Sequence, residues 1–494
     1  MIGIRRALLM ASGERYAGLL ISFVTLPVVS RLLTPAEIGV SVVGLAITTL
    51  ILSVREFATT SFIIQHRDLQ PTHVHASFTF LLLVSVLISS VLTLLSGSIA
   101  EFYGEPRLAP YLCIGAVSIS VEVVGAMVAA LLRRNMAFGT LAIINISGAA
   151  VGASVTLALA SLGFSYMSFA WATLASTITI AIMSLFFWRD WSIFRLSLHA
   201  WGGMAEFGGY NGLNVMLYRI YEALPSMALG RVLSFEHLAL YTRAITLCQL
   251  PDRAVLRGLD SILLPAFSIE VRNGRSLVGA YVRSIEIITA IQWPALVTLA
   301  ILADPLVRLI LGAQWEGSVP LVRIMAIASM FSFSAELNYP VLMAMGAMRD
   351  IFKRSLIAWP ISALVIVCAA MFGVMAAASA WLVTLPFQAY VSIWFVQRHV
   401  DISWKQLARA VIISGIVTLF SAVGPLLAVV LSGSGQISYL ASFVAAALSA
   451  VGWIVGLKLT GHTMFSELEK ILVHILLLPS TRGRTPDEAV GRKA

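Results

Sequence analysis

Charge is what this chain has least of. Only 12% of its 494 residues are Asp, Glu, Lys or Arg, about half the usual share of a soluble domain. A soluble chain of this length would form two or three domains, each needing a charged surface, and there are too few charges to cover them. Cysteine is equally scarce. Cys113, Cys248 and Cys368 lie in apolar runs without metal-ligand or redox spacing, and they read as small core residues. There is no Walker loop, HExxH pair, Cys/His cluster or Ser-His-Asp arrangement, so the chain is not expected to be an enzyme, to carry a cofactor or metal, or to hydrolyse ATP. Together these absences exclude a soluble enzyme, a disordered chain and a disulfide scaffold. The net charge of +9 is compatible with nucleic acid, but its distribution along the chain points to a membrane and to no nucleic-acid partner.

What the chain does have is apolar length: 59% of its residues are hydrophobic. A helix needs about 20 mostly apolar residues to cross the hydrocarbon core. Fourteen windows qualify, from 9–31 to 437–459, and those at 9–31, 207–230 and 238–262 carry the most charge. Arg5 and Arg6 precede the first window as in a signal peptide. Glu14 and Arg15 interrupt that stretch, however, and no small-residue cleavage site follows, so an uncleaved first span is expected. With the amino terminus placed in the cytoplasm, about 22 Lys and Arg fall on the inner side and about 5 outside. This asymmetry supports a multi-pass membrane protein with an even number of spans and both termini cytoplasmic. In the tail, Ser466 and Glu469 have capping-box spacing. Met464, Leu468, Ile471, Leu472, Ile475 and Leu476 then share one face of a helix suited to the inner leaflet. Arg482, Arg484, Arg492 and Lys493 follow, near enough to meet anionic headgroups.

The chain also repeats itself. LPVVSRLLTPAEIGVSVVGLAIT from Leu26 resembles LPSMALGRVLSFEHLALYTRAIT from Leu224, and PYLCIGA at Pro110 weakly resembles PLVRIMA at Pro320. The offset spans six helices, an even number, so the copies point the same way and form a parallel repeat. The expected architecture is all-α: a six-helix bundle over 1–200, a second over 201–400, a central cavity between them, two further helices over 401–460, and a cytoplasmic amphipathic helix and basic tail over 461–494. Gly148 and Gly152 have the spacing that lets helices approach closely.

Charges inside spans cost about 2.5–3.5 kcal/mol each on translocon scales and usually face protein or a watery cavity. Here they concentrate in the first two helices of each repeat. Arg15, Gly18, Ser22 and Thr25 share a face, with Glu14 beside them. Ser41, Gly44, Thr48 and Arg55 share another, with Glu56 adjoining. Asn211, Asn214, Tyr218 and Glu222 form a third stripe bordered by Arg219. Arg243, Thr246, Leu250, Arg253, Arg257 and Asp260 form the fourth. Converging, the stripes would line one net-positive cavity. Arg15, Arg55, Arg219, Arg253 and Arg257, with Asn211 and Asn214, are candidates to bind an anionic head, because arginine suits phosphate and pyrophosphate. Glu14, Glu56, Glu222 and Asp260 are candidates to bind H⁺ or Na⁺ and couple transport to an ion gradient. The competing reading is structural: Glu14/Arg15 with Arg55/Glu56, and Asp252/Arg253 with Arg257/Asp260, pairing only to pin helices together.

Three segments carry a family resemblance: RLLTPAEIGVSVVGLAITTLILSVREFATTSFIIQ (Arg31 to Gln65), LALYTRAITLCQLPDRAVLRGLDSILLPAFS (Leu238 to Ser268) and GAQWEGSVPLVRIMA (Gly312 to Ala326). In order and spacing they resemble bacterial polysaccharide exporters of the Wzx flippase type, within the multidrug/oligosaccharidyl-lipid/polysaccharide exporter superfamily. The resemblance implies a protein that moves undecaprenyl-pyrophosphate-linked oligosaccharide repeat units across the inner membrane for exopolysaccharide or lipopolysaccharide synthesis. It also implies alternating access, membrane lipids as partners, and a polymerase and chain-length regulator as neighbours. A cation-coupled drug antiporter on the same scaffold is the rival, which the arginine excess disfavours. A membrane glycosyltransferase or polymerase would need a large catalytic loop that this chain does not show.

Overall fold

In a computed structural model of the chain, residues 2–56, 63, 69–197, 209–253, 257–433 and 437–476 are described, and among them there are helices and no strands. The first group is α1 (Ile2–Leu32), α2 (Pro35–Glu56), α3 (Pro71–Tyr103), α4 (Leu108–Arg134), α5 (Phe138–Ser161) and α6 (Met167–Phe187). The second is α7 (Gly209–Val232), α8 (Phe235–Cys248), α9 (Arg257–Arg272), α10 (Val278–Ile301), α11 (Ala303–Ile310), α12 (Val319–Ser329), α13 (Phe333–Ala344), α14 (Met348–Ala370), α15 (Val374–Ser379) and α16 (Trp381–Gln397). Then come α17 (Trp404–Ser432), α18 (Tyr439–Leu459) and α19 (Thr463–Leu476). Helices are the expected solution, because lipid offers no partner for backbone N–H and C=O groups and a helix satisfies its own.

Among the described residues, eleven helices are long and apolar enough to span, or twelve when the segment Ala313–Ser329 and α13, bent by 40°, count as one. The windows at 207–230 and 238–262 account for the difference from fourteen. The first coincides with α7, whose Arg219, Glu222 and Arg231 lower its hydropathy. The second is broken: α8 ends after 14 residues at Cys248, and Asp252 and Arg253 form a π turn directly after Pro251. Proline removes one helix donor and crowds the preceding turn, which explains a break there.

The sequence repeat corresponds to a structural one. α1 and α7 each contain a proline within about two turns of their ends, Pro27 and Pro225. Each chain then turns into the next helix through an N-cap. Thr34 and Glu37 cap α2 reciprocally: the Thr34 N–H donates to Glu37 Oε2 at 2.7 Å and the Glu37 N–H to Thr34 Oγ1 at 3.4 Å. Ser234 caps α8 by accepting from the His237 N–H at 3.2 Å. α2 packs on both α7 and α8 across the middle of the molecule. Elsewhere α5 lies on α6, where a Cβ at Gly148 would come within 2.5 Å of Ile180 Cγ1. α17 and α18 pack on each other, and α17 anchors the pair to α10.

The tail differs from expectation at its start. α19 begins at Thr463, so Ser466 lies inside the helix and donates to the Thr463 carbonyl at 2.8 Å instead of capping. His462 does the capping, with Nδ1 accepting from the Met464 N–H at 3.1 Å. Met464, Phe465 and Leu468 pack on Trp453 and on buried Ala290, Val417 and Leu457. The described part of the apolar face is thus docked on α10, α17 and α18 rather than lying free on lipid. The side chains from Lys470 onward, and the basic end, lie outside the described residues.

Candidate functional site

A cavity of about 890 Å³ lies between the two helix groups and is walled by α1, α5, α6 and α8. Its lining runs from Arg15 to Val29 along α1, about 21 Å at 1.5 Å per residue. Most of the wall is apolar: Leu19, Phe23, Leu26, Phe169 and Leu250 all contribute. Arg15, Arg243 and Arg253 interrupt it. The full stripe Arg15, Gly18, Ser22, Thr25 faces in, as do Arg243, Thr246, Leu250 and Arg253. Thr25 and Thr246 donate to their own helices, to the carbonyls of Ile21 and Thr242 at 2.7 and 2.8 Å. That leaves the arginines as the strong donors.

Arg243 is the most isolated of the three. Its guanidinium sits over the Trp315 ring at 5.5 Å, and its Nε is buried with no hydrogen-bond partner among the described residues. No carboxylate there pairs with it. Arg253 donates to Gln249 Oε1 at 2.7 Å. Through the π turn after Pro251 it borders a second cavity as well, about 560 Å³, enclosed by α7, α8, α12, α13, α14 and α16.

The end of the main cavity nearest the α1–α2 turn is shut. Trp315, fully buried, donates its Nε1–H to the Ser30 carbonyl at 2.7 Å. Gln314 donates to the carbonyls of Ser30 and Leu33, the latter at 3.0 Å. Arg31 donates back to the Leu309 carbonyl at 2.6 Å, and the Tyr103 hydroxyl donates to the Met227 carbonyl at 3.1 Å. Gly39 is required here, because a Cβ at that position would lie 2.0 Å from the Phe235 carbonyl oxygen. The two groups therefore touch backbone to backbone at this end. Farther along α1 toward Arg15, Leu20 and Phe23 of the cavity wall remain exposed.

The candidate residues divide. Arg15 and Arg253 meet in the main cavity. Arg219 does not line it; it pairs with Glu222 at 3.1 Å on the surface of α7. Glu14 turns to α5 and accepts from Asn145 Nδ2 at 2.7 Å. The stripe on α2 faces α4 rather than the cavity: Gly44 lies against the Tyr111 ring and Thr48 against Gly115. Tyr218 lines the second cavity. The side chains of Arg55, Glu56, Asn211, Asn214, Arg257 and Asp260 lie outside the described residues. Two residues escaped the sequence reading. Arg243 belonged to the recognised stripe but was not among the candidates for the anionic head. Arg354 was not among the candidates, and it is buried on α14, facing the second cavity.

Comparison with known proteins agrees with this architecture. The chain is 24% identical over 344 residues to the succinoglycan biosynthesis transport protein ExoT of Rhizobium meliloti (strain 1021), covering 68% of each chain. It is 21% identical over 315 residues to the lipopolysaccharide biosynthesis protein WzxC of Escherichia coli (strain K12), covering 63% of each. In fold it is similar to the lipid II flippase MurJ in an inward closed conformation, with a TM-score of 0.74 at 10% identity, covering 95% of this chain and 99% of that one. A family model described as polysaccharide biosynthesis protein matches residues 28–320. With a polytopic helical fold and a match over more than half its length, the chain belongs to the polysaccharide biosynthesis protein family.

Proposed function

We propose that the chain is a flippase that moves undecaprenyl-pyrophosphate-linked oligosaccharide repeat units across the bacterial inner membrane for exopolysaccharide or lipopolysaccharide assembly. One observation carries the reading: an apolar-walled cavity between the two helix groups, closed at one end and studded with Arg15, Arg243 and Arg253. A pyrophosphate head satisfies these guanidinium groups with charge-assisted hydrogen bonds. The exposed apolar edge at Leu20 and Phe23 lets a polyprenyl tail stay in lipid while the head enters. The names of the relatives, a succinoglycan transport protein and a lipid II flippase, support the same class of cargo. Under the positive-inside rule the open end and both termini face the cytoplasm, so the cavity is loaded from the side where such intermediates are made.

Transport then follows from rocking bundles 1–200 and 201–400 about the closed end, with helices 401–460 and the tail 461–494 as additions outside the pair. H⁺ or Na⁺ bound at an acidic residue resets the cycle. Asp252, which accepts from Gln292 Nε2 at 2.7 Å beside Arg253, joins Glu56 and Asp260 as the carboxylates to test for this role. A polymerase and a chain-length regulator are the expected neighbours in the pathway. Depletion of the protein tests the reading. Lipid-linked repeat units should accumulate while surface polymer falls. Unchanged lipid intermediates with normal polymer, in a strain lacking other flippases, would refute it.

A further inference from the structure

The second cavity contains a buried cation that no carboxylate among the described residues pairs with. Arg354 is 6% exposed. Its Nε donates to Ser392 Oγ at 3.0 Å and its guanidinium lies 5.7 Å from the Trp359 ring centre, while no carboxylate among the described residues pairs with it. Ser392 also fixes Asn338, whose Nδ2 donates to the Ser392 carbonyl at 3.0 Å. Among the described residues, that leaves Asn338 Oδ1 buried without a donor and Ser355 Oγ buried without a partner. All three side chains line the cavity, as do Asp252 and Glu336. Tyr221 stacks against Trp359 at 6.0 Å and receives a hydrogen bond from Gln388, so the aromatic wall is held in place.

These groups constrain the occupant. A bare inorganic anion would match Arg354 but would offer no donor to Asp252 and Glu336 and no apolar face to Tyr221 and Trp359. A neutral sugar would donate hydroxyl groups to Asp252 and Glu336 but leave the Arg354 guanidinium without an anion, a costly state in a span. A ring bearing both a carboxylate and several hydroxyl groups satisfies both sets, and its apolar face suits the aromatic wall. The volume of about 560 Å³ lies within the range of small-ligand sites. We propose that this cavity is a subsite for an acidic sugar residue, a hexuronate, whose carboxylate binds Arg354. The inference rests on the flippase reading, which it deepens by assigning the carried oligosaccharide a charged sugar. Arg253, shared by the two cavities, joins the subsite to the site for the pyrophosphate head.

The test uses the full chain in lipid nanodiscs, with tryptophan fluorescence as the signal and D-glucuronate, D-glucose and acetate as probes at equal ionic strength. Glucuronate should bind about tenfold or more tightly than glucose or acetate, a difference set by one charge-assisted pairing plus the hydroxyl contacts. Arg354→Gln should bring glucuronate to within about twofold of glucose, and Arg354→Lys, which keeps charge but loses the fork, should fall between. Acetate binding as tightly as glucuronate would overturn the sugar assignment. A preference unchanged in both variants would overturn the role of Arg354. Farnesyl pyrophosphate binding, measured on the same sample, separates the two claims. Retained pyrophosphate binding without glucuronate binding removes the subsite alone, and the reverse removes the flippase reading alone.

Discussion

Replacing Arg243 with Gln separates a substrate-binding cavity from a structural network, because the two predict opposite signs. In the empty protein Arg243 has no carboxylate partner among the described residues and a buried Nε without an acceptor. A cation so placed within a span costs about 2.5–3.5 kcal/mol. Its contact with Trp315 returns about 0.5–2 kcal/mol. The balance favours removal, so Arg243→Gln should hold or raise the melting temperature. With a pyrophosphate bound, the same side chain supplies charge-assisted hydrogen bonds worth about 1.5–3 kcal/mol. Its loss should weaken binding by about 10- to 100-fold, since each 1.4 kcal/mol is a factor of ten. Calorimetric titration of farnesyl pyrophosphate into protein in nanodiscs gives the affinity, and differential scanning fluorimetry gives the stability. A falling melting temperature with affinity within about twofold of the parent would refute the reasoning and assign Arg243 to the framework.

Two further expectations follow from the closed end and the tail. A Cβ built at Gly230 would lie 2.5 Å from Val43 Cγ2, so cysteines at both positions should form a disulfide across the two helix groups. The oxidised double variant should bind substrate yet fail to translocate it, reductant should restore translocation, and undiminished flipping in the oxidised state would rule out opening at this end. His462 is 3% exposed, between Ser414 and the Met464 amide. Burial is the main cause that lowers its pKa below the ordinary value, partly opposed by Glu286. The unfolded chain therefore binds the extra proton first, and stability should fall as pH drops below about 6.5. Melting curves from pH 7.5 to 5.5 should flatten in His462→Gln; identical slopes would show that His462 does not titrate in this window.

How much was legible in the sequence depended on the kind of signal. Span lengths and the repeat could be read because bilayer thickness and helix capping act on local sequence, as Thr34 and Ser234 show. The faces of α1 and α8 were readable too, since polar residues at helical spacing have no other reason to align. The same rule misled on α2. Ser41, Gly44 and Thr48 are small enough to serve as a packing surface, and here they receive Tyr111 and Gly115 of α4. Spacing does not distinguish a polar stripe from a small-residue stripe. Arg354 was missed for a different reason. Five positively charged or polar residues cluster between Arg349 and Ser355, and composition reads such a cluster as a loop. Only the tertiary packing of α16, which brings Ser392 against it, buries this one. Pro251 could be recognised as a helix breaker, but not that its π turn would place Arg253 on the border of two cavities.

The closed end is held largely by bonds to main-chain oxygens: the carbonyls of Ser30 and Leu33 receive Gln314, Ser30 receives Trp315, and Leu309 receives Arg31. These oxygens lie at the last turns of α1 and α11, where a helix has no further amide to offer them. When the two groups separate, water can take the place of each donor, so each bond contributes only about 0.5–1.5 kcal/mol against opening. No substitution on α1 can delete an acceptor that belongs to the backbone. The latch is therefore cheap to undo and hard to lose, and its strength is set by the side chains at positions 31, 314 and 315. A homologue that changes only positions 31 and 314 would shift how often the gate stands open while leaving Arg243, which rests on Trp315, in its place in the cavity behind it.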